Sequence, residues 1–173
     1  MKQPDLHSTF ISLIKQHERI IYKVCYLYAD TEANRQDLYQ EVIIQVWKGY
    51  QKFRGDAKFS TWLYQVAINT AIAGFRKEKK SPVVFDDNAI RPDMSDTGPG
   101  ETETAQLEQL YAAINRLNDI EKALVMLYLD GNSYEEMENV MGIPNGALRV
   151  KMTRIKEKLR QLTKNNQHGI RPI

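Results

Sequence analysis

The chain has 173 residues with 24 Lys+Arg against 22 Asp+Glu, a formal net charge of +2, and 42% hydrophobic residues. That composition supplies a folded core for one or two small domains and argues against wholesale disorder. The longest unbroken apolar run, 123–129, is far shorter than the roughly 18 residues of a membrane span, the N-terminal residues lack a secretory pattern, and one cysteine, Cys25, excludes an internal disulfide. A cytoplasmic, disulfide-free protein is expected.

Residues 5–48 contain neither Gly nor Pro, and Phe10, Leu13, Ile14, Ile20, Ile21, Val24 and Leu27/Tyr28 form a stripe at helical spacing. Asp30-Thr31 offers a helix start, after which Leu38, Val42, Val46 and Tyr50 predict a second helix at steps of four. Arg54-Gly55-Asp56 is a turn signal. A third helix is expected to open at Ser60 or Thr61, with Trp62, Leu63, Val66, Ala67, Thr70 and Ala71 inward, and to run out in the cluster Arg76–Lys80. Residues 81–104 hold Pro82, Pro92, Pro99, Gly98 and Gly100 among many Asp, Ser and Thr, which predicts a linker and therefore two domains, 5–80 and 105–164.

In the second domain Leu107, Leu110, Tyr111, Ile114 and Leu117 predict one inward stripe, and 123–129 a buried helix stopped by Asp130-Gly131-Asn132. Ser133 and Glu136 have capping-box spacing, Gly142 ends that short helix, and Pro144-Asn145 start the last one, with Leu148, Met152, Ile155, Leu159 and Leu162 inward. The fold class is all-α throughout.

Charge is distributed unevenly. Residues 48–80 and 145–164 each carry +6, whereas 81–105 and 106–144 each carry −5. Two basic segments around acidic material suggest two meeting points with a polyanion, although either run also suits a solvated helix face. A short helix, a glycine turn and a basic helix read as a helix-turn-helix, whose second helix lies in the major groove. On it Arg149, Thr153 and Arg154 share a face away from the core, while Lys151, Lys156 and Lys158 suit phosphates. The segment 53–64 mixes Phe53, Phe59 and Trp62 with Arg54 and Lys58, a pattern for unpaired nucleic acid, with Ser60 and Thr61 able to build a small polar pocket. An ordinary helix start with at least one of Phe59 and Trp62 in the core fits as well. His7, His17 and His168 show no metal spacing, and neither a phosphate-binding glycine loop nor a serine elbow is present, so no enzyme, metal, cofactor or small-molecule substrate is expected.

These blocks closely resemble the bacterial RNA polymerase sigma factors of the extracytoplasmic-function type. Asp37–Glu41 through Trp47, Phe53-Arg54-Gly55, Phe59–Tyr64 and Ala67-Ile68-Asn69 are similar to family region 2. Leu117, Gly131–Met137, Gly142-Ile143-Pro144, Gly146 and the basic helix to Leu162 are similar to region 4. The resemblance implies that Asp37, Gln40, Glu41 and Trp47 dock on the polymerase β′ clamp helices. It also implies that Arg54, Lys58, Phe59, Ser60, Thr61, Trp62, Asn69, Arg76 and Lys77 open and hold the minus-ten element. Region 4 would sit on the β flap and read the minus-thirty-five duplex through Arg149, Val150, Lys151, Thr153, Arg154, Lys156 and Lys158. An anti-sigma partner is a further implication. The chain departs from the family at Asn118 (usually Pro), at Glu138 (usually Ala), and at Ala147-Leu148-Arg149-Val150, where Thr and Ser contacts are lost, so a promoter sequence does not carry over. A stand-alone helix-turn-helix repressor or activator, and a module whose basic helices bind an acidic protein, are the competing readings.

Overall fold

The computed structural model describes residues 5–78 and 101–167, with side chains described for 5–74 and 105–164. Among the described residues the regular elements are seven α-helices, in two compact units. The first holds α1 (Leu6–Tyr28), α2 (Glu32–Tyr50) and α3 (Phe59–Glu78). The second holds α4 (Glu101–Asn115), α5 (Asp119–Leu129), α6 (Tyr134–Met141) and α7 (Asn145–Gln167).

In the first unit the three helices pack on one another. Phe10, Ile14, Ile20, Ile21, Val24 and Tyr28 of α1 are buried as the periodicity requires, with Leu13 and Leu27 half-buried and Cys25 added. Val42 and Val46 are fully buried, each removal from water being worth about 1.5–3 kcal/mol. Thr31 caps α2, its hydroxyl accepting from the Asn34 N–H at 3.1 Å. α3 opens at Phe59, one residue before the sequence signal, and its buried face is turned from the expected stripe: Tyr64, Ile68 and Ile72 join Leu63, Ala67 and Ala71, whereas Trp62, Val66 and Thr70, expected inward, are only half-buried. The reason is that α3 packs against both α1 and α2.

In the second unit α7 packs on α4, α5 and α6. Leu148, Met152 and Ile155 are buried, with Leu159 and Leu162 half-buried. α4 begins at Glu101, inside the segment expected to be linker. Two stripes need correction. Leu107 and Tyr111 are exposed, the buried α4 residues being Ala113 and Ile114. Tyr128 and Leu129 are exposed as well, so the buried run on α5 stops at Leu127.

Each start in this unit is fixed locally. Asn118 and Glu121 form a capping box at α5, the Glu121 N–H donating to Asn118 at 2.9 Å and the Asn118 N–H to Glu121 at 3.0 Å. The familial Pro is thus replaced by an equally definite start. Ser133 and Glu136 repeat the arrangement at α6, at 3.1 and 2.9 Å. Gly142, at φ 66°, provides the left-handed residue that ends α6.

Candidate nucleic-acid interface

The turn between α2 and α3 and the first turn of α3 form an aromatic cluster. The Phe59 ring lies 5.3 Å from that of His17, 5.9 Å from Phe53 and 5.7 Å from Trp62, and Phe53 lies 4.8 Å from Trp62. Trp62 lies so close to α2 that a Cβ at Gly49 would sit 2.8 Å from its Cζ2. Both Phe59 and Trp62 are therefore half-buried packing residues with one side left to solvent. Around them Arg54 and Lys58 are exposed on the turn, Ser60 is half-buried and Asn69 is exposed further along α3. Thr61 is only 7% exposed, so it is buried in the first turn of α3 rather than lining an open pocket. Arg76 and Lys77 fall on the backbone of α3, but their side chains lie outside the described residues.

On α2 the side chains of Asp37, Gln40 and Glu41 are exposed, and Gln45 donates to Glu41 at 2.7 Å. Ile44 stands among them at 46% exposure. The sequence reading missed it, yet its signal was present: an apolar residue out of phase with the Val42–Val46 stripe. Trp47 sits at the edge of this face, its ring 4.5 Å from His7 and 4.8 Å from Phe10. A half-open cleft of about 310 Å³ adjoins Gln40, lined also by Tyr22, Tyr26, Arg35 and Tyr39. There Glu18 accepts hydrogen bonds from the Tyr22 hydroxyl at 3.0 Å and the Tyr39 hydroxyl at 3.1 Å, joining α1 to α2. Burial and that carboxylate together hold the Tyr39 hydroxyl well above the ordinary phenol range.

On α7 the side chains of Arg149, Val150, Lys151, Thr153 and Arg154 are all exposed. Thr153 turns its hydroxyl back to the Arg149 carbonyl at 3.0 Å. The two remaining lysines are engaged with α5. Lys156 donates to the Tyr128 hydroxyl at 3.0 Å, and its ammonium lies 4.2 Å from that ring's centre. The Tyr128 hydroxyl bond pushes the Lys156 ammonium up from its usual range. Lys158 pairs with Glu121 at 2.9 Å. Partial burial pushes the Glu121 carboxyl up, but the hydrogen bonds from Lys158 and Asn118 outweigh it, leaving it below the usual carboxylate range.

The turn itself carries two features that the sequence reading did not assign. Glu138, half-buried on α6, accepts from the Asn145 N–H at 3.1 Å and so satisfies an orphan donor at the start of α7. The residue that departs from a small one is thus engaged at the turn rather than directed outward. The Arg149 guanidinium, in turn, lies 4.6 Å from the centre of the Tyr134 ring on α6, and its Nε donates to Asn145 Oδ1 at 2.9 Å. Tyr134 left a weak trace in the sequence, an aromatic residue directly after the capping Ser133.

Comparison with known proteins agrees with this division. Residues 13–81 match the family sigma-70 region 2, and residues 107–159 match sigma-70, region 4. The chain is 32% identical over 132 residues to the ECF RNA polymerase sigma-E factor of Escherichia coli (strain K12), covering 70% of this chain and 69% of that protein. The sigma-E factor of Haemophilus influenzae is 30% identical over 132 residues, covering 70% of each. Among solved structures, the sigma factor RpoE in complex with the anti-sigma factor NepR from Bartonella quintana superposes with a TM-score of 0.73 at 19% identity, covering 90% of this chain and 97% of that one. CnrH in complex with the cytosolic domain of CnrY gives 0.66 at 18% identity, covering 92% and 90%.

Proposed function

The chain belongs to the sigma-70 family, in its extracytoplasmic-function class, and from that membership we propose a division of labour among its exposed residues. The protein is a transcription initiation factor, a subunit that binds core RNA polymerase and gives it promoter specificity. It acts by binding; bond chemistry belongs to the polymerase.

In our reading the α2 face of Asp37, Gln40 and Glu41, with Ile44 among them and Trp47 at its edge, docks on the β′ clamp helices. Arg54 and Lys58 follow the phosphates of the melted minus-ten strand. Phe59 and Trp62 offer their open sides to unpaired bases, with Ser60 and Asn69 alongside and Thr61 buried in the first turn of α3. Arg76 and Lys77 extend the basic track. Opening a few base steps at about 1.4 kcal/mol of stacking each needs this repayment. The second unit sits on the β flap, and Arg149, Val150, Lys151, Thr153 and Arg154 face the minus-thirty-five duplex, with Lys156 toward the flanking phosphates and Lys158 at their margin, where its pair with Glu121 limits its contribution.

One observation carries this reading: the same chain presents a solvent-facing α2 surface and a cationic helix-turn-helix in separate units. A stand-alone repressor needs only the second. Purified chain is expected to associate with core polymerase and to direct run-off transcription from its own promoters. Lack of association at every ionic strength overturns the proposal. Lys58→Ala is expected to impair promoter opening, read by permanganate reactivity of unpaired thymines, more than polymerase binding; equal loss of both counts against the role given to this turn.

An anti-sigma protein is a natural partner, since both structural neighbours are captured with a second protein, one of them explicitly an anti-sigma factor. No helix among the described residues is long and apolar enough to cross a membrane, and we place the activity in the cytoplasm with the polymerase. Affinity capture from unstressed cells tests the partner; recovery of polymerase alone counts against it.

A further inference from the structure

We propose that Tyr134 and Asn145 are positioning residues that hold Arg149 as an end-on reader of a single guanine in the upstream duplex element. The inference rests on the reading that α7 faces duplex DNA, and it adds which base one side chain selects and what makes it selective.

An exposed arginine has many rotamers, and ordering them at the moment of binding weakens discrimination. Arg149 is restrained before any DNA arrives. Its guanidinium lies 4.6 Å from the centre of the Tyr134 ring, and its Nε donates to Asn145 Oδ1 at 2.9 Å. The anchors are themselves anchored. The Asn145 N–H donates to Glu138 on α6 at 3.1 Å, and Tyr134 sits in the first turn of α6 with its ring 6.5 Å from Tyr128. A continuous chain of contacts thus runs from one helix of the motif to the other and back. Arg154 and Lys151, exposed on the same helix, show no comparable restraint among the described residues.

The consequence is chemical. With Nε engaged by Asn145, only Nη1 and Nη2 remain to form a two-pronged contact. That end of the fork matches the O6 and N7 acceptors of guanine, and no other base edge in the major groove offers two acceptors to it.

The test uses polymerase holoenzyme reconstituted with the full chain, and duplexes whose upstream element is randomised, selected and sequenced. One position is expected to favour guanine about tenfold, within the range of a good bidentate pair. Arg149→Ala should abolish that preference and leave the other positions as they were. Tyr134→Leu and Asn145→Ala should each reduce it to about threefold, with unchanged helicity and thermal midpoint, whereas Tyr134→Phe, which keeps a ring under the guanidinium, should preserve it. Full guanine preference in Tyr134→Leu overturns the inference. So does a uniform loss of affinity across all sequences, the signature of a phosphate contact or of a damaged fold. Absence of any upstream selection by wild-type holoenzyme is a different failure: it removes the duplex-reading role of α7 itself, and this inference with it.

Discussion

Gly49 shows how one residue can be decided by its neighbour. It lies within α2, where replacement by Ala would normally gain close to 1 kcal/mol of helix propensity. Here the added Cβ would stand 2.8 Å from Trp62 Cζ2, and the indole is hemmed in by Phe53 at 4.8 Å and Phe59 at 5.7 Å. Overpacking of this kind costs about 1–3 kcal/mol, so Gly49→Ala should destabilise the first unit by about 1 kcal/mol net in urea or thermal unfolding. A rise in stability would mean that the tryptophan can swing aside, and that the base-facing ring is less fixed than the packing implies. Cys25 is decided by its surroundings as well. It is 2% exposed, and burial pushes its thiol up to about 12 despite the opposing effect of Arg35. Since the thiolate is the reactive form, Cys25 should resist alkylation by iodoacetamide in the native protein near pH 8 and react once the chain is unfolded. Labelling at equal rates in both states would show that α1 opens readily.

At the scale of elements, helix starts carry much of the second unit's definition. Ser133→Ala removes the hydroxyl that accepts from the Glu136 N–H, and should cost about 1 kcal/mol, measured by thermal denaturation. Glu121 does double duty, capping α5 and pairing with Lys158 of α7. Its carboxyl is lowered in the folded state, so its stabilisation is complete above the unfolded carboxylate range and is lost as pH falls through the folded value. The second unit's thermal midpoint should therefore drop below about pH 4, and Glu121→Gln should flatten that dependence while lowering the midpoint at neutral pH. Both caps illustrate what was legible beforehand. Ser133, Glu136, Gly142 and Pro144 are local signals acting within one turn, and α6 begins and ends, and α7 begins, where those signals stand. Periodicity also located most of the core of α1 and the buried line of α7. It failed for Leu107 and Tyr111 because a helical stripe states which residues could share a face, whereas burial depends on how far the facing helix extends. The contacts of Glu138 and Tyr134 were hidden for a related reason: each bonds a residue brought near only by the turn at Gly142, seven positions on for Asn145 and fifteen for Arg149.

For the molecule as a whole, the net charge of +2 conceals segments of +6 and −5, and affinity for DNA follows the local charge that remains available rather than the total. Each phosphate neutralised by a cation contributes roughly −0.9 to the slope of log affinity against log salt. Lys151 is exposed on α7 and, although its charge helps to lower the Glu121 carboxyl, it makes no contact ion pair among the described residues, so Lys151→Ala should lower affinity about equally for all duplex sequences and reduce that slope by about 1. Lys158 has its ammonium 2.9 Å from the Glu121 carboxylate. Its approach to DNA would surrender that pair, and the Glu121 charge left behind would repel the same phosphate. Lys158→Ala should therefore change the salt slope by clearly less than Lys151→Ala, while lowering the second unit's thermal midpoint more. Salt titrations of the two variants as holoenzyme, beside their melting curves, measure both quantities. Equal slope changes would show that Lys158 abandons α5 on binding, and that the recognition helix presents a wider cationic face in the complex than in the free protein.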